Sequence, residues 1–396
     1  SGTEITKKFE REYADWLGMK YGLAYGNGTS SLHAAMWACG VGAGDEVISP
    51  SMTYWATCAS VQSLGAAVNF ADIEPDSLCI DPRDIEHRIG PKTRVIMVVH
   101  YAGHPCDMDP ILEIARRHRI RVIEDVSHAH GSLYKGRPCG TLGDISGMSM
   151  MSGKSFAAGE LGMMVTNDRE LYERCIAFGH YERTGVASNY NAPDAQITRP
   201  ELQPFAGIPL GGYKHRASQL STAVARVQLQ QYPDRIAEID RAMKRFWKYL
   251  EGAPGLRPQY PKWANSSMGG WYFCRGLYRA EELGGLPCEE FCEAVRAEGV
   301  PQCYPGANKP LHTHPVFHQA DLFHQGRPTS IAFGQRDVRQ GPGSLPVTER
   351  ITQIAFGIPW FKQDRPEIIG AFAAAYRKVA EQANDLLKRK SGNEHH

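Results

Sequence analysis

Strand-length apolar runs alternate with amphipathic stretches through roughly the first 170 residues, and this alternation restricts the fold more than any other feature. The runs that qualify as strands cover residues 22–26, 46–50, 67–73, 94–100, 121–126, 145–150 and 162–167. Between them, segments such as 31–40 and 108–120 repeat apolar residues at intervals of three and four, as amphipathic helices do. The alternation predicts an α/β fold in which helices cover both faces of a mostly parallel central sheet.

The second half of the chain has a different pattern, which predicts a smaller α+β domain. Its helical stretches cover 217–232, 235–252, 287–299 and 365–389, its strand-like run covers 270–278, and its linker and loop cover 253–263 and 304–345. The chain has 396 residues, more than the roughly 250–300 at which a single core stops growing. We therefore expect a large domain over residues 1–240 and a small C-terminal domain over residues 241–396.

Charge and hydropathy exclude several classes of protein. The 44 Lys and Arg residues balance 43 Asp and Glu residues, so the composition is not that of a basic nucleic-acid-binding protein. No apolar run approaches the roughly 18 residues of a membrane helix, and the N-terminus lacks the apolar core of a signal peptide. We expect a soluble cytoplasmic protein with no nucleic-acid or membrane partner, whose ten cysteines are reduced because none forms a CxxC pair.

The strongest candidate for chemistry is Lys154, in the segment SGMSMMSGKSFAAGELG (146–162). Small and hydroxyl residues flank it in an otherwise apolar stretch, so burial should lower the pKa of the amine and free it as a nucleophile for a carbonyl. Residues 153–155 also copy the end of the phosphate-loop pattern GxxxxGK[ST]. That pattern needs a glycine at position 148, where Met148 stands, so a phosphate loop is not predicted.

Two more segments follow predicted strands at the edge where ligands bind in open α/β sheets. In VIEDVSHAHGS (122–132), Asp125 should face a ligand while Glu124 points to the other side of the pleat. In GNGTSSLHAAM (26–36), a turn with hydroxyl residues precedes a helix whose first amides suit an anion. This turn lacks GxGxxG, so a dinucleotide site of the Rossmann type is not predicted.

Together with Tyr54, an aromatic residue that follows a strand, these features match the requirements of a site for pyridoxal 5′-phosphate (PLP). A lysine bonds the cofactor, a carboxylate pairs with the pyridine nitrogen, an aromatic ring stacks on the cofactor ring, and a helix start holds the phosphate. The sequence therefore predicts a PLP-dependent enzyme.

The chain resembles the DegT/DnrJ/EryC1/StrS family of sugar aminotransferases over nearly its whole length. The motifs that carry the resemblance are NGTSSLHAA (27–35), GAGDEVISPSMTYWAT (42–57), IEDVSHAHG (123–131), GKSFAAGELG (153–162) and GGYKHRASQLSTAVA (211–225). The family pattern of Lys, four variable residues and then Gly-Glu recurs as Lys154 with Gly159 and Glu160. The resemblance implies a fold type I PLP-dependent transferase, similar to aspartate aminotransferase, that works as a homodimer with its active site between the subunits.

The resemblance also implies roles for individual residues. Lys154 would carry PLP, Asp125 would hold the pyridinium nitrogen, His128 would contact the ring hydroxyl and Tyr54 would stack on the ring. The other implied cofactor-binding residues of the motifs surround the phosphate: Gly28, Thr29, Ser30 and Ser149.

The chain departs from the family pattern at two places. Lys214 stands where many members have an asparagine that reaches the phosphate of the neighbouring subunit, and it either serves that phosphate or turns to solvent. Leu161 replaces the glycine of the more common GEGG motif and makes this loop bulkier. Lys214 is kept as a cofactor-binding candidate.

The implied reaction moves an amino group from glutamine or glutamate to a small-molecule acceptor. The details of the motifs look most like the glutamine-dependent scyllo-inosose aminotransferases, so a keto-cyclitol is the expected acceptor and a nucleotide-linked 3- or 4-keto sugar the alternative. A diphosphate would need basic residues, for which the candidates are Arg183, Lys214, His215 and Arg216. Two alternatives of other classes are a PLP-dependent sugar dehydratase, whose relatives have His where Lys154 stands, and a PLP-binding regulator, which would need a DNA-binding module.

Two remaining clusters need separate interpretations. The histidines of the stretch 311–324 include one pair at i,i+4, His314 and His318, but this pair lacks the HExxH pattern of a zincin and no Cys pair lies nearby. We predict no metal site and interpret the stretch as a loop at the substrate entrance, with ordinary surface histidines as the alternative. Trp271 and Tyr272 either pack on a sugar ring or fill the core of the small domain, and the core is the preferred interpretation.

Overall fold

The computed structural model describes residues 3–184 and 197–393. Its strands are β1 (Tyr21–Tyr25), β2 (Glu46–Pro50), β3 (Ala67–Ala71), β4 (Thr93–Val99), β5 (Arg121–Asp125), β6 (Leu133–Tyr134), β7 (Arg137–Pro138), β8 (Ile145–Ser149), β9 (Gly162–Thr166), β10 (Leu256–Pro258), β11 (Arg275–Tyr278) and β12 (Ala355–Gly357). Its helices are α1 (Glu4–Leu17), α2 (Gly28–Ala38), α3 (Pro82–Arg88), α4 (Met108–His118), α5 (Arg169–Gly179), α6 (Gln219–Tyr249), α7 (Cys288–Ala297), α8 (Thr329–Ala332), α9 (Pro346–Glu349), α10 (Ile351–Ile354), α11 (Pro366–Glu381) and α12 (Ala383–Asn393).

The central sheet has seven strands in the order β1-β9-β8-β5-β4-β2-β3. The neighbours from β8 to β3 are parallel, whereas β9 runs antiparallel to both β8 and β1. The predicted α/β fold with a mostly parallel sheet is therefore confirmed. Each of the seven predicted strands lies within two residues of an observed one, because strands buried on both faces are nearly continuous apolar runs that the sequence makes visible.

Most of the buried apolar residues beyond the middle of α6 form a hydrophobic cluster of their own, from Ile239 to Ala383. Leu277, Ile351 and Ala355 belong instead to a cluster with residues of the central sheet. A second, antiparallel sheet in the order β10-β11-β12 belongs to this part of the chain. Part of the 304–345 loop instead packs against the main sheet, since Phe317 and Leu345 belong to one of its clusters. The change of core inside α6 supports the division near residue 240, which stays a prediction.

The helical stretches predicted at 217–232 and 235–252 form one helix, α6, which continues through Pro233. A proline removes one backbone hydrogen bond and usually kinks or ends a helix, so the sequence indicated a break. Pro233 is exposed, while Tyr232 and Ile239 are fully buried. Tertiary packing of the apolar face therefore outweighs the missing bond.

Three further boundaries differ from the prediction. The segment 253–263 is not only a linker, because β10 lies inside it and pairs with β11. Within 270–278 only Arg275–Tyr278 is a strand. The helix predicted at 365–389 is divided into α11 and α12 at Gln382. Short elements such as β10 are specified by their partner strands rather than by local pattern.

Two other observations concern the chain as a whole. All ten cysteines lie in the described ranges and have free thiols. None of the helices in these ranges combines the length and the apolar character that crossing a bilayer requires.

Candidate active site

A cavity of about 380 Å³ opens at the carboxyl ends of the parallel strands. Its lining includes seven of the predicted site residues: Gly28, Thr29, Tyr54, Asp125, His128, Ser149 and Lys154. These residues come from four separate segments of the sequence, and the sheet brings them together because β2, β5 and β8 end on the same side. The cavity is therefore the candidate active site.

Lys154 lies in the turn between β8 and β9, and its side chain is half-buried. Burial lowers the pKa of its amine to about 8, although the nearby charge of Asp125 acts in the opposite direction. The sequence predicted that burial would lower the pKa of this amine, and this prediction is confirmed. An amine with this pKa is available in its neutral, nucleophilic form near physiological pH far more often than an ordinary lysine.

Asp125 is the last residue of β5 and is 4% exposed. Thr57 Oγ1 donates a hydrogen bond to its Oδ2 at 2.7 Å, and the amide of Ser127 donates to its Oδ1 at 3.0 Å. Glu124 lies on the opposite side of the strand, where its carboxylate accepts from the amides of Gly140, Leu142 and Gly143. The alternation of the pleat thus separates a structural acid from one that faces the cavity.

His128 follows Asp125 by three residues and is also buried. Burial lowers the pKa of its imidazole well below the usual value, and the charges of Lys154 and Arg275 act in the same direction. Its Nδ1 accepts a hydrogen bond from the amide of Ala102 at 3.4 Å. His128 is therefore neutral at physiological pH, which leaves Nε2 as a donor toward the cavity.

The start of α2 forms an anion cradle. The side chain of Asn27 accepts a hydrogen bond from the amide of Ser30 at 2.9 Å, whereas the amides of Gly28 and Thr29 have no partner in the described ranges. The first amides of a helix and its dipole favour a negative group. Together with the hydroxyls of Thr29 and Ser149, which line the same cavity, this donor set fits a phosphate.

Gly28 is required at this position by close packing. A Cβ atom at Gly28 would lie 2.8 Å from the amide nitrogen and the Cα of Ser149, so Gly28→Ala forces the helix start away from β8. We expect this variant to lose about 1–3 kcal/mol in the free energy of unfolding, as overpacked sites do. Urea denaturation measures the loss. Gly42→Ala is the control, because nothing lies within 4 Å of its added Cβ, and equal stability of both variants would contradict the expectation.

Ser30 and Lys214 do not line the cavity of Lys154. They lie in an adjacent cleft of about 560 Å³, which shares Asn27, Thr29 and Trp55 with that cavity. The Lys214 side chain is exposed. The roles predicted for Ser30 and Lys214 in phosphate binding stay predictions.

The basic patch suggested by the sequence is only half present. Arg183 is 2% exposed and forms an ion pair with Glu10 at 2.7 Å. His215 is buried, which lowers the pKa of its imidazole to about 4. Lys214 and Arg216 are the exposed members of the four, so the predicted patch is wrong for Arg183 and His215.

The preferred interpretation of Trp271 and Tyr272 is right for the first residue and wrong for the second. Trp271 is 1% exposed, belongs to the small-domain core and donates from Nε1 to Asp240. Tyr272 lines the candidate active site together with Lys154. Sequence reasoning also missed other polar or aromatic lining residues, among them Trp55, Thr57 and Asn308. Thr57 and Trp55 follow the predicted strand 46–50 at the edge of the sheet where ligands bind, a signal that was available.

The histidine-rich stretch contributes structure. His312 is fully buried, with Nδ1 2.8 Å from Ser51 Oγ and Nε2 3.0 Å from Glu349. It is therefore not a surface histidine. In the part of the chain that the structure describes, no group of three or more His, Cys, Asp or Glu side chains is arranged to hold a metal ion. Asn308, which precedes the stretch, lines the cavity.

Several known proteins are similar to this chain in sequence or in fold. The chain is 38% identical over 231 residues to a GDP-perosamine synthase of Escherichia coli O157:H7. The matched residues make up 58% of this chain and 59% of the relative, so the chain spans about three fifths of that protein's length. It is 32% identical over 352 residues to a putative L-glutamine:3-amino-2,3-dideoxy-scyllo-inosose aminotransferase of Micromonospora echinospora, covering 87% of this chain and 78% of the relative. An aminotransferase structure from Psychrobacter cryohalolentis superposes with a TM-score of 0.80 at 27% identity, covering 96% of this chain and 92% of that one. Residues 1–354 match the model of one family, and the chain belongs to it: the DegT/DnrJ/EryC1/StrS aminotransferase family.

Proposed function

We propose that the protein is a PLP-dependent aminotransferase that moves an amino group from glutamine or glutamate to a keto-cyclitol of the scyllo-inosose type or to a keto-sugar. The observation that carries the proposal is the presence of a half-buried lysine amine, Lys154, and a buried carboxylate, Asp125, in one cavity. PLP chemistry requires this pair of groups. The relative named as a glutamine:inosose aminotransferase supports the amino donor and the cyclitol acceptor.

The donor set of the cavity fits PLP. The amides at the start of α2 and the hydroxyl of Ser149 would hold the phosphate, Asp125 would hold the pyridine nitrogen and neutral His128 would donate to the ring hydroxyl. Tyr54, which is half exposed at the cavity, would cover one face of the ring. When bound, PLP supplies a carbonyl for amine exchange and a ring that takes up the electrons left on the substrate carbon.

Residues of the chain would bind PLP and move protons beside it. The Nζ atom of Lys154, with a pKa of about 8, would take a proton from the donor's α-carbon as a general base and release it again as a general acid. Thr57 and Ser127 fix the orientation of the Asp125 carboxylate, so that its remaining lone pairs point into the cavity.

The donor half-reaction tests the proposal. The full-length protein with PLP should absorb at ~410–430 nm, and glutamine or glutamate should bleach this band toward ~330 nm. A ketone acceptor should then restore it, because the second half-reaction returns the cofactor to its starting form. A protein that shows no bleaching with either donor does not have the proposed activity.

A nucleotide-linked 3- or 4-keto sugar is the second candidate acceptor. The similarity to a GDP-perosamine synthase favours it, and the cleft with Lys214 beside the cavity offers a cation for a phosphate. Restoration of the band with a panel of keto-cyclitols and nucleotide-linked keto-sugars separates the two candidates. A sugar dehydratase is disfavoured because Lys154 stands where those relatives have histidine.

We further propose a homodimer. Exposed apolar residues on α6, with Leu220 80% exposed and Val224 and Val227 each about half exposed, lie on one helix face at i, i+4 and i+7. Apolar patches of this kind are typical of protein interfaces. The family resemblance supports the same assembly, and a cytoplasmic location stays a prediction.

A further inference from the structure

The ring of Tyr272 contacts the reactive amine of the candidate active site. Lys154 Nζ lies 4.3 Å from the centroid of this ring, within the range of a cation–π interaction. Both residues line the same cavity. The ring comes from the segment after α6, whereas Lys154 follows β8, so the contact joins two distant parts of the chain.

The Tyr272 ring is held on two sides. It packs edge-to-face against His128, with centroids 4.9 Å apart, and against Trp360, with centroids 5.7 Å apart. The indole of Trp360 donates a hydrogen bond at 3.0 Å to the carbonyl of Gly270, two residues before Tyr272. The position of the ring is therefore fixed independently of Lys154.

The backbone around Tyr272 adopts an uncommon conformation. Trp271 and Phe273 have φ values of 51° and 62°, in the left-handed region that is unfavourable for a residue with a side chain. This backbone directs Trp271 into the small-domain core and Tyr272 to the cavity. Strain of this kind persists where the surrounding structure enforces it, and it is concentrated at functional sites.

The other groups that face Lys154 do not replace this contact. Asp125 is the charge that favours the ammonium form, but in the described ranges no carboxylate forms an ion pair with Lys154. His128 and His130 are neutral, since burial lowers the pKa of both imidazoles. Glu160 lines the cavity with an exposed side chain. The aromatic face of Tyr272 is thus the direct partner of the ammonium.

We infer that Tyr272 is a positioning residue that holds the Lys154 amine, in its charged form, beside the reacting centre whenever that amine is not bonded to the cofactor. The role in turnover rests on the proposed function, whereas the contact itself does not. The amine must leave the cofactor in the donor half-reaction and return to it in the acceptor half-reaction. Between these events the contact with the ring keeps the flexible lysine side chain beside the reacting centre. The interaction uses the ring face and not the hydroxyl.

The test is the pH dependence of Lys154 acylation in the full-length protein freed of PLP. Trace labelling with acetic anhydride, followed by peptide mass analysis, gives the midpoint at which the amine loses its proton. We expect a midpoint near 8 for the wild type. Tyr272→Leu removes the ring and the stabilisation of the charged form, so the midpoint should fall by about one pH unit. Tyr272→Phe keeps the ring and should keep the midpoint.

Tyr260→Leu is the matched control. Tyr260 packs edge-to-face on Trp271 and lines a different cavity, so its loss should leave the midpoint unchanged. Tyr272→Met fills similar space without a ring and gives the same comparison if the Leu variant does not fold. An unchanged midpoint in the Leu or Met variant overturns the inference, and so does a Phe variant that shifts as much as Leu. Labelling needs no amino donor, so a wild type that glutamine and glutamate fail to bleach counts against the proposed function alone.

Discussion

Replacement of Lys154 by alanine is expected to abolish the glutamine half-reaction. The variant loses both the amine that bonds the cofactor and the base that moves the proton. General acid–base catalysis alone contributes up to about 10⁴-fold, so the single-turnover rate should fall by roughly that factor or more. Rapid mixing of the PLP-loaded protein with glutamine, followed by the rise in absorbance at ~330 nm, measures the rate for both the variant and the wild type.

A second measurement locates the attachment directly. Borohydride reduction of the wild type should fix the cofactor to the peptide that contains Lys154, and the variant should show no such peptide. Lys135→Ala is the control, because Lys135 is an exposed lysine paired with Asp109 at 2.6 Å. Trapping of the cofactor on another lysine of the unmodified protein would contradict the assignment.

The parts of the fold that the sequence predicted well are those set by local pattern. The buried strands β3 and β4 consist mostly of apolar residues, and such runs carry their own signal. Asp125 and His128 were found because the edge of a parallel sheet is a known location for ligands. Lys154 was found because its flanking residues predict burial, and the direction of its pKa shift agrees with that burial.

The features that the sequence did not reveal depend on contacts between distant residues. Arg183 looked like a surface cation, but its partner Glu10 lies 173 residues away. A buried arginine is stable only with such a partner, and no local pattern identifies it. For the same reason the break expected at Pro233 is absent, since the packing of α6 is decided by residues outside the helix.

Tyr272 shows a different limit of sequence reasoning. Its neighbours alternate as in a strand, and strand alternation would place Trp271 and Phe273 on one face. Positive φ values at both of these residues break the alternation, and residues other than glycine give no indication of such a conformation. The sequence analysis assigned Trp271 and Tyr272 to the core together, and no local pattern showed that Tyr272 contacts the reactive amine instead.

The expected result for Asp125→Asn is a large loss of rate with little change in fold. An asparagine of the same shape can still accept from the amide of Ser127 with its one oxygen, while its NH2 group donates to the hydroxyl of Thr57, which can rotate to accept. It carries no charge to keep the pyridine nitrogen protonated, so electrons left on the substrate carbon are less well accommodated. Loss of one member of a buried charge pair costs about 3–5 kcal/mol, which corresponds to about 10²- to 10⁴-fold in the rate of the glutamine half-reaction.

Thr57→Val separates the charge of Asp125 from its orientation. This variant removes the hydrogen bond of 2.7 Å to Oδ2 and the bond of 2.8 Å to the hydroxyl of Thr53, and it leaves the charge of Asp125 in place. The bond to Asp125 is worth about 1–1.5 kcal/mol, so the rate should fall by about tenfold or less. If orientation alone mattered, the two variants would be equally impaired. A rate for Asp125→Asn within a few fold of the wild type would show that this carboxylate does not serve the cofactor nitrogen, and the acid that does would have to be sought elsewhere in the cavity.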